Sequence, residues 1–453
     1  MSTQNRNEAG LTRRSFLAHT GVAAGAVSVS VGMSGIARAT SSTTTKTGIF
    51  VNQRGGCDGL TMVAPVAEAA YQSARTNAFG TIAIPQPGVG ARDWLDSKFA
   101  LAPSGVAVTG TVDMIEPYLN GDLVFVHGAG WVNQSRSHFT AMLNMEHGVN
   151  PGVPLFPADG WGGRYVLRAP DSGSPVRGFA HGNLLPTLLR GAPKTSAVAD
   201  AANLGFPGPD TLTGTIPTAP FRQHTISKSY QATPRVLAMQ AAEAAFSTLA
   251  ELTAVTYPTP GSGSYPDTPF GNALANTAAV IKDPNVHVEV IHLDIASWDH
   301  HQAQQPNTPG GVFYEIFEDL SVSVGAFYQD LQAHFGSSGV TKYLMMIFTE
   351  FGRQIAVNAD LGTDHGYGSV FTAMGAGVNP SAGGSGGTVF HEFGSADLAT
   401  SFDPLNSDAL DITIDYRDIW REALENQLCL NPADFAAVFP GFTPRVTPPG
   451  IIG

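Results

Sequence analysis

Charge is scarce in this chain of 453 residues. Lys, Arg, Asp and Glu together make up 13% of it, against roughly 25% in an average soluble protein. With 43% hydrophobic residues, that scarcity excludes a disordered tail and leaves apolar material for one large core or two ordinary ones. Positive charge is the rarer sign: 24 Lys and Arg face 37 Asp and Glu, for a formal net charge of -13. The deficit argues against a nucleic-acid partner and against docking on anionic lipid. Cysteine is nearly absent, with only Cys57 and Cys429, so there is no disulfide framework and no Cys-x-x-Cys motif; whether the two pair stays open. No run beyond the N-terminal leader approaches the roughly 18 consecutive apolar residues of a membrane span, so no integral membrane segment is expected. The phosphate-binding Gly-Lys-Ser/Thr loop and the dinucleotide fingerprint are missing. Gly-Gly-Ser-Gly-Gly at 383–387 matches the serine-hydrolase elbow by letter only, since no strand precedes it.

Turn-forming residues, by contrast, are plentiful: 51 Gly and 31 Pro imply long loops. At the N-terminus, Arg13-Arg14, a mildly apolar stretch and Ala37-Arg38-Ala39 read as a twin-arginine export signal over residues 1–39. The expectation is a periplasmic or secreted protein whose partner in transit is the twin-arginine export machinery. Removing residues 1–39 takes away four Arg and one Glu and moves the net charge from -13 to -16.

Residues 40–453 alternate short apolar runs with helical patterns. Strands are expected at 47–53, 121–130, 286–302 and 341–353, and helices at 135–148, 313–331 and 415–428. In the second helix Phe313, Ile316, Leu320, Val324, Phe327 and Leu331 recur every three or four residues, and Ser135 is placed to cap the first. This order predicts a single α/β domain with a mostly parallel central sheet and helices on both faces. Residues of about 200–280, Pro/Gly-rich and then Ala-rich, read as a helical insertion or cap. Ligands of such sheets gather beyond the carboxyl ends of the strands. Asp58, Ser135, Asp299 with His301, and Glu350 all fall at such ends.

Each candidate has an ordinary alternative. Asp58 in Asp-Gly can be a turn residue, and Ser135 only a helix cap. Asp299 and His301, two apart on a strand, can face one side with His300 turned elsewhere, or can be a solvated strand-end turn. Arg136 and Arg164 can clamp an anion or make surface pairs. Carboxylates and imidazoles converging from separate elements are what a divalent-metal site requires.

Taken together, Gly-Gly-Cys-Asp-Gly-Leu, Ser-Arg-Ser-His-Phe, Gly-Trp-Gly-Gly-Arg-Tyr, Trp-Asp-His-His-Gln, Phe-Thr-Glu-Phe-Gly-Arg and Gly-Thr-Asp-His-Gly, in that order behind a twin-arginine leader, resemble the exported domain of unknown function 1501 family. That family is similar to the alkaline phosphatase and sulfatase superfamily. The resemblance implies an alkaline phosphatase-like fold and one or two divalent metal ions (Zn, Mn, Mg or Ca). It also implies a small-molecule or polymer ester of phosphate or sulfate as substrate. It assigns Asp58, Asp299, His301, Glu350 and His365 to metal, with Asp364 a ligand or the partner that orients an imidazole. Ser135 takes the nucleophile position with Ser137 its competitor, and Arg136 or Arg164 holds the remaining oxygens. Two departures stand out: one residue separates Asp299 from His301 where the phosphatases have three, and no imidazole accompanies Glu350. They leave a non-catalytic exported binding or assembly protein on the same fold as the alternative.

Overall fold

The computed structural model describes residues 28–29, 46–88, 93–106, 112–132, 135–150, 159–192, 194–199, 250–382, 389–392 and 408–453. Nine strands form its main sheet: β1 (Ser28–Val29), β2 (Thr47–Gln53), β3 (Leu123–Gly130), β4 (Gly178–His181), β5 (Thr195–Val198), β6 (Val290–Ile295), β7 (Tyr343–Phe348), β8 (Ser369–Gly375) and β9 (Ile414–Asp415). Their spatial order is β1-β5-β4-β6-β2-β7-β8-β3-β9. The run from β5 through β4, β6, β2 and β7 is parallel throughout. β8 runs against both of its neighbours, and the short β1 runs against β5.

The central strands are apolar on both faces because both are covered. In β7, Tyr343, Met345 and Ile347 enter one core while Leu344, Met346 and Phe348 enter the other. β2 divides likewise, with Ile49 and Val51 on one side and Phe50 on the other, as the two-residue period of a strand requires. The first core packs against α3 (Pro269–Lys282) and α4 (Val312–Phe335). The second packs against α2 (Trp161–Arg168) and α5 (Tyr416–Glu422), where Phe50 meets the Trp161 ring edge-on at 4.8 Å and Trp161 stacks on Trp420 at 4.6 Å. The expected mostly parallel sheet with helices on both faces is what the chain forms.

Several boundaries move. The helix expected from Ser135 is α1 (His138–His147); its cap position is Ser137, whose hydroxyl makes no capping bond, while Ser135 Oγ accepts the Ser137 N–H at 3.0 Å. The strand expected to reach residue 302 ends at Ile295, so Asp299 and His301 belong to a loop. α5 stops at Glu422 and passes into a π-helical turn, Ala423–Gln427. Residues 200–249 of the expected insertion, and the leader apart from 28–29, lie outside the described residues. The later part of that expected insertion contains α3, which packs directly on the sheet beside α4 and is part of its helical layer. Cys57 is buried and Cys429 exposed, and both are free thiols.

Candidate metal centre

Strand direction gathers the polar residues at one edge. Beyond the ends of β2, β6 and β7 come Arg54-Gly55-Gly56, Asp299 with His301, and Glu350 with Arg353. β3 leads to the segment that opens α1 with His138. Because β8 is reversed, it is its beginning that lies at this edge, and Asp364 and His365, just ahead of Ser369, arrive there too. The Gly55-Gly56 turn has positive φ at both residues, +122° and +72°. A Cβ on Gly55 would sit 2.6 Å from the backbone nitrogen of Asp299, so the close approach requires glycine.

Asp299 is the hub of the cluster. His301 Nε2 stands 3.0 Å, and His365 Nε2 3.3 Å, from its Oδ1; His138 Nε2 is 3.4 Å from its Oδ2. The other nitrogen of each ring is already committed. His138 Nδ1 meets Glu350 Oε1 at 2.7 Å, His301 Nδ1 meets Asp364 Oδ1 at 2.9 Å, and His365 Nδ1 meets the carbonyl oxygen of Arg136 at 2.7 Å. Each of these partners is an acceptor, so in a neutral ring Nδ1 carries the hydrogen and Nε2 is a bare lone pair. Two such lone pairs, those of His301 and His365, lie only 2.9 Å apart. His138 Nε2 is shielded from solvent and has no hydrogen-bond partner among the described residues. Lone pairs directed at one another need a shared positive partner, a proton or a metal, and the guanidinium of Arg353 stands 3.5 Å from His301 Nε2. Carboxylate or carbonyl groups behind the imidazoles are the usual outer support of metal-binding histidines. One donor atom each from His138, Asp299 and His365 lies within 4.8 Å of the others, and His301 adjoins two of them.

The loops that hold the cluster are laced together and strained. Ala303 and Gln304 donate backbone N–H groups to the carbonyls of Asp360 and Leu361, and Thr363 to that of His300. Ser297, Ala303, Gln305 and Leu361 all have positive φ without being glycine, a cost that persists only where surrounding structure over-determines the backbone. Arg353 closes the floor. Its buried guanidinium donates to the carbonyls of Gly55, Gly56 and Thr363 and to Asp299 Oδ1 at 2.5 Å.

Charge states follow from these contacts. Burial raises the Asp299 carboxyl, but the hydrogen bond and charge of Arg353, aided by His138 and His301, bring it down to about 2. Burial likewise raises Glu350, and the hydrogen bonds from His138 and the Gly55 N–H outweigh it, leaving it lowered. His138 is raised, first by its bond to Glu350. His365 is lowered, first by burial and then by the charge of Arg353.

The remaining expected site residues stand outside the ring of donors. Glu350 does not reach into the cluster; it holds His138 from behind, and Asp364 does the same for His301. Asp58 is not brought to the cluster. Its two oxygens are taken by buried Arg75 at 2.5 and 2.9 Å, with Thr61 and Gln304 adding further bonds, so it caps the Gly59–Met62 turn and neutralises an interior arginine. Arg164 is not an anion clamp here, because all three of its nitrogens donate to backbone carbonyls, of Val438, Asp159 and His147. Arg136 pairs with Asp408 and covers the Tyr367 ring at 4.2 Å, while its carbonyl orients His365. Ser135 and Ser137 flank it, directly before His138. The sequence reading missed two residues, His138 and Arg353. Both lie inside the motifs Ser-Arg-Ser-His-Phe and Phe-Thr-Glu-Phe-Gly-Arg, and the available signal was an imidazole one residue into a helix that starts at the ligand edge.

Fold and site together define a doubly covered α/β protein with a histidine-rich, Asp-centred cluster at the carboxyl edge of its sheet. Residues 219–424 match the family described as "Protein of unknown function (DUF1501)", a span that carries Asp299, His301, Glu350, Arg353, Asp364 and His365. The comparison with curated proteins gives no match, and neither does the comparison with solved structures.

Proposed function

We propose that this is an exported, metal-dependent hydrolase of phosphate or sulfate esters, an alkaline phosphatase-like member of the family matched by residues 219–424. Its metal centre is a single cation held by His138, His301, His365 and Asp299. The observation that carries the reading is the convergence of three Nε2 lone pairs on one carboxylate, each ring fixed through Nδ1. The donor set fits a divalent ion of the zinc type better than the oxygen-seeking Mg or Ca. When bound, such an ion supplies Lewis acidity toward a phosphoryl or sulfuryl oxygen. The chain supplies the rest. Arg353 keeps Asp299 ionised, and Glu350 and Asp364 hold the rings in register. Ser135 and Ser137 precede the ligand His138 in the chain. Of the two serines, Ser137 is exposed and free of a capping bond, whereas Ser135 Oγ already accepts a hydrogen bond. Export rests on the twin-arginine leader.

The test is elemental analysis of the purified chain together with turnover of a panel of aryl phosphates and sulfates. About one equivalent of transition metal, lost with His138→Ala, and turnover lost in Ser137→Ala or Ser135→Ala are the expected results. Absence of metal uptake after addition of Zn, Mn, Mg or Ca would sink the reading. A second reading, a non-catalytic binding protein, is favoured by one contact: Arg353 already gives Asp299 a cationic partner at 2.5 Å. It predicts neither metal nor turnover.

A further inference from the structure

A polar cleft opens beyond the carboxyl ends of β4 and β6, lined by none of the metal-centre residues. Its volume is about 390 Å³, within the range of small-molecule sites. Arg54, Glu146, His181, Arg190, His292 and Asp294 supply its polar lining. Arg54 directly precedes Gly55, whose N–H holds Glu350. Glu146 lies on α1 eight residues after His138, about 12 Å along the axis. His292 and Asp294 leave the same face of β6, two residues apart. His292 is 1% exposed, and its Nε2, shielded from solvent, has no hydrogen-bond partner among the described residues and stands 3.6 Å from Asp294 Oδ1.

The charges in this lining cancel. Arg54 binds Asp294 Oδ1 at 2.6 Å and Glu146 Oε1 at 3.0 Å. No hydrogen bond among the described residues reaches Asp294 Oδ2 or Glu146 Oε2, and Arg190 uses only Nε, on the carbonyl of Leu185. The cleft therefore offers two carboxylate acceptors and one guanidinium fork, at no net charge. An anion would meet two carboxylates, and an amine two guanidiniums. A neutral ligand rich in hydroxyls satisfies both kinds of group, because each hydroxyl donates and accepts. Leu184, Leu185 and Pro186 at the rim supply apolar contact for C–H faces.

We infer that this cleft binds a neutral saccharide unit, an inference that rests on the cleft alone and goes beyond the ester-hydrolase reading. The experiment is titration of the full chain with glucose, galactose, N-acetylglucosamine and neutral disaccharides, followed by calorimetry or saturation-transfer NMR, with putrescine and citrate as charged comparators. Saturable binding of a saccharide, weakened roughly tenfold or more by Asp294→Asn and by Leu184→Arg at the exposed rim, is expected. Metal content should be unchanged in both variants, and His138→Ala should leave saccharide binding intact. Leu184→Arg keeps the test decisive if Asp294→Asn unfolds the chain. The inference is overturned if no saccharide binds, if binding survives both folded variants, or if putrescine or citrate binds in preference. Saccharide binding without metal would overturn the hydrolase reading and leave this inference standing.

Discussion

Glu350→Leu removes the acceptor that fixes one imidazole. Glu350 is completely buried and accepts from His138 Nδ1 at 2.7 Å and from the Gly55 N–H at 2.9 Å through the same oxygen, Oε1, while Thr349 Oγ1 stands 3.1 Å from Oε2. A glutamine keeps both Oε1 bonds and turns its NH2 toward Thr349, so it leaves the tautomer as it is; leucine offers His138 Nδ1 no acceptor. Nothing then holds the hydrogen on Nδ1, Nε2 keeps it instead, and the lone pair directed at Asp299 is lost. Removal of such an outer partner costs about 10–100-fold in metal affinity, or roughly 1.4–2.7 kcal/mol. Competition of the variant against a chromophoric zinc chelator measures this directly, with thermal unfolding of the metal-free protein as the control. An affinity within twofold of wild type would refute the claim that Nδ1 anchoring sets the donor state of His138.

Other expectations concern the scaffold. Asp58→Asn leaves Arg75 charged and unpaired in the interior, a loss of about 3–5 kcal/mol measurable by urea unfolding, with metal content unchanged because Asp58 is not at the cluster. Burial raises the Asp58 carboxyl, but Arg75, Gln304 and Thr61 together lower it below its ordinary value. Its contribution is therefore fully present above roughly pH 4 and is lost as pH falls through the depressed value, so the variant should show a flatter acid limb in the same unfolding series. Phe50→Ala opens a cavity against Trp161 and should cost about 3–5 kcal/mol. Arg164→Met removes donors to three carbonyls and should lower the melting temperature while leaving KM for any ester substrate unchanged, which steady-state kinetics can check.

Apolar patterning made the sheet legible. Strands 47–53 and 121–130 were readable to within a few residues because Phe50, Val51, Val124 and Val126 follow the pleat between two covered faces. Loop paths were not readable from pattern. Asp299 and His301 reach one point through a strained loop beyond Ile295, held by backbone bonds to 360–363 that leave no periodic trace. Asp58 shows the opposite failure. A carboxylate after the first strand has the right place for a ligand, but whether it serves a metal or a buried cation was decided by Arg75, seventeen residues away in sequence and absent from any motif. His365 reached the cluster because β8 is antiparallel, and the long connection from Phe348 to Ser369 would equally have allowed a parallel crossover, so that direction was not legible in the sequence.

Metal preference follows from the charge and chemistry of the cluster. Asp299, Glu350 and Asp364 set three negative charges against one guanidinium, Arg353, leaving two to be balanced when the imidazoles are neutral. A single divalent cation would close that gap, and the lone pairs that would face it are mostly nitrogen. Calcium takes six to eight oxygens and magnesium prefers water and carboxylate in an octahedron, whereas three imidazoles with one carboxylate suit zinc or cobalt. Dialysis of loaded protein against about 1 mM Mg or Ca, a large excess over any nitrogen-site affinity for these ions, should leave zinc in place. Displacement of zinc by either ion would mean that Asp299 gathers oxygen donors the three rings do not represent, and the centre would have to be rebuilt around carboxylates rather than imidazoles.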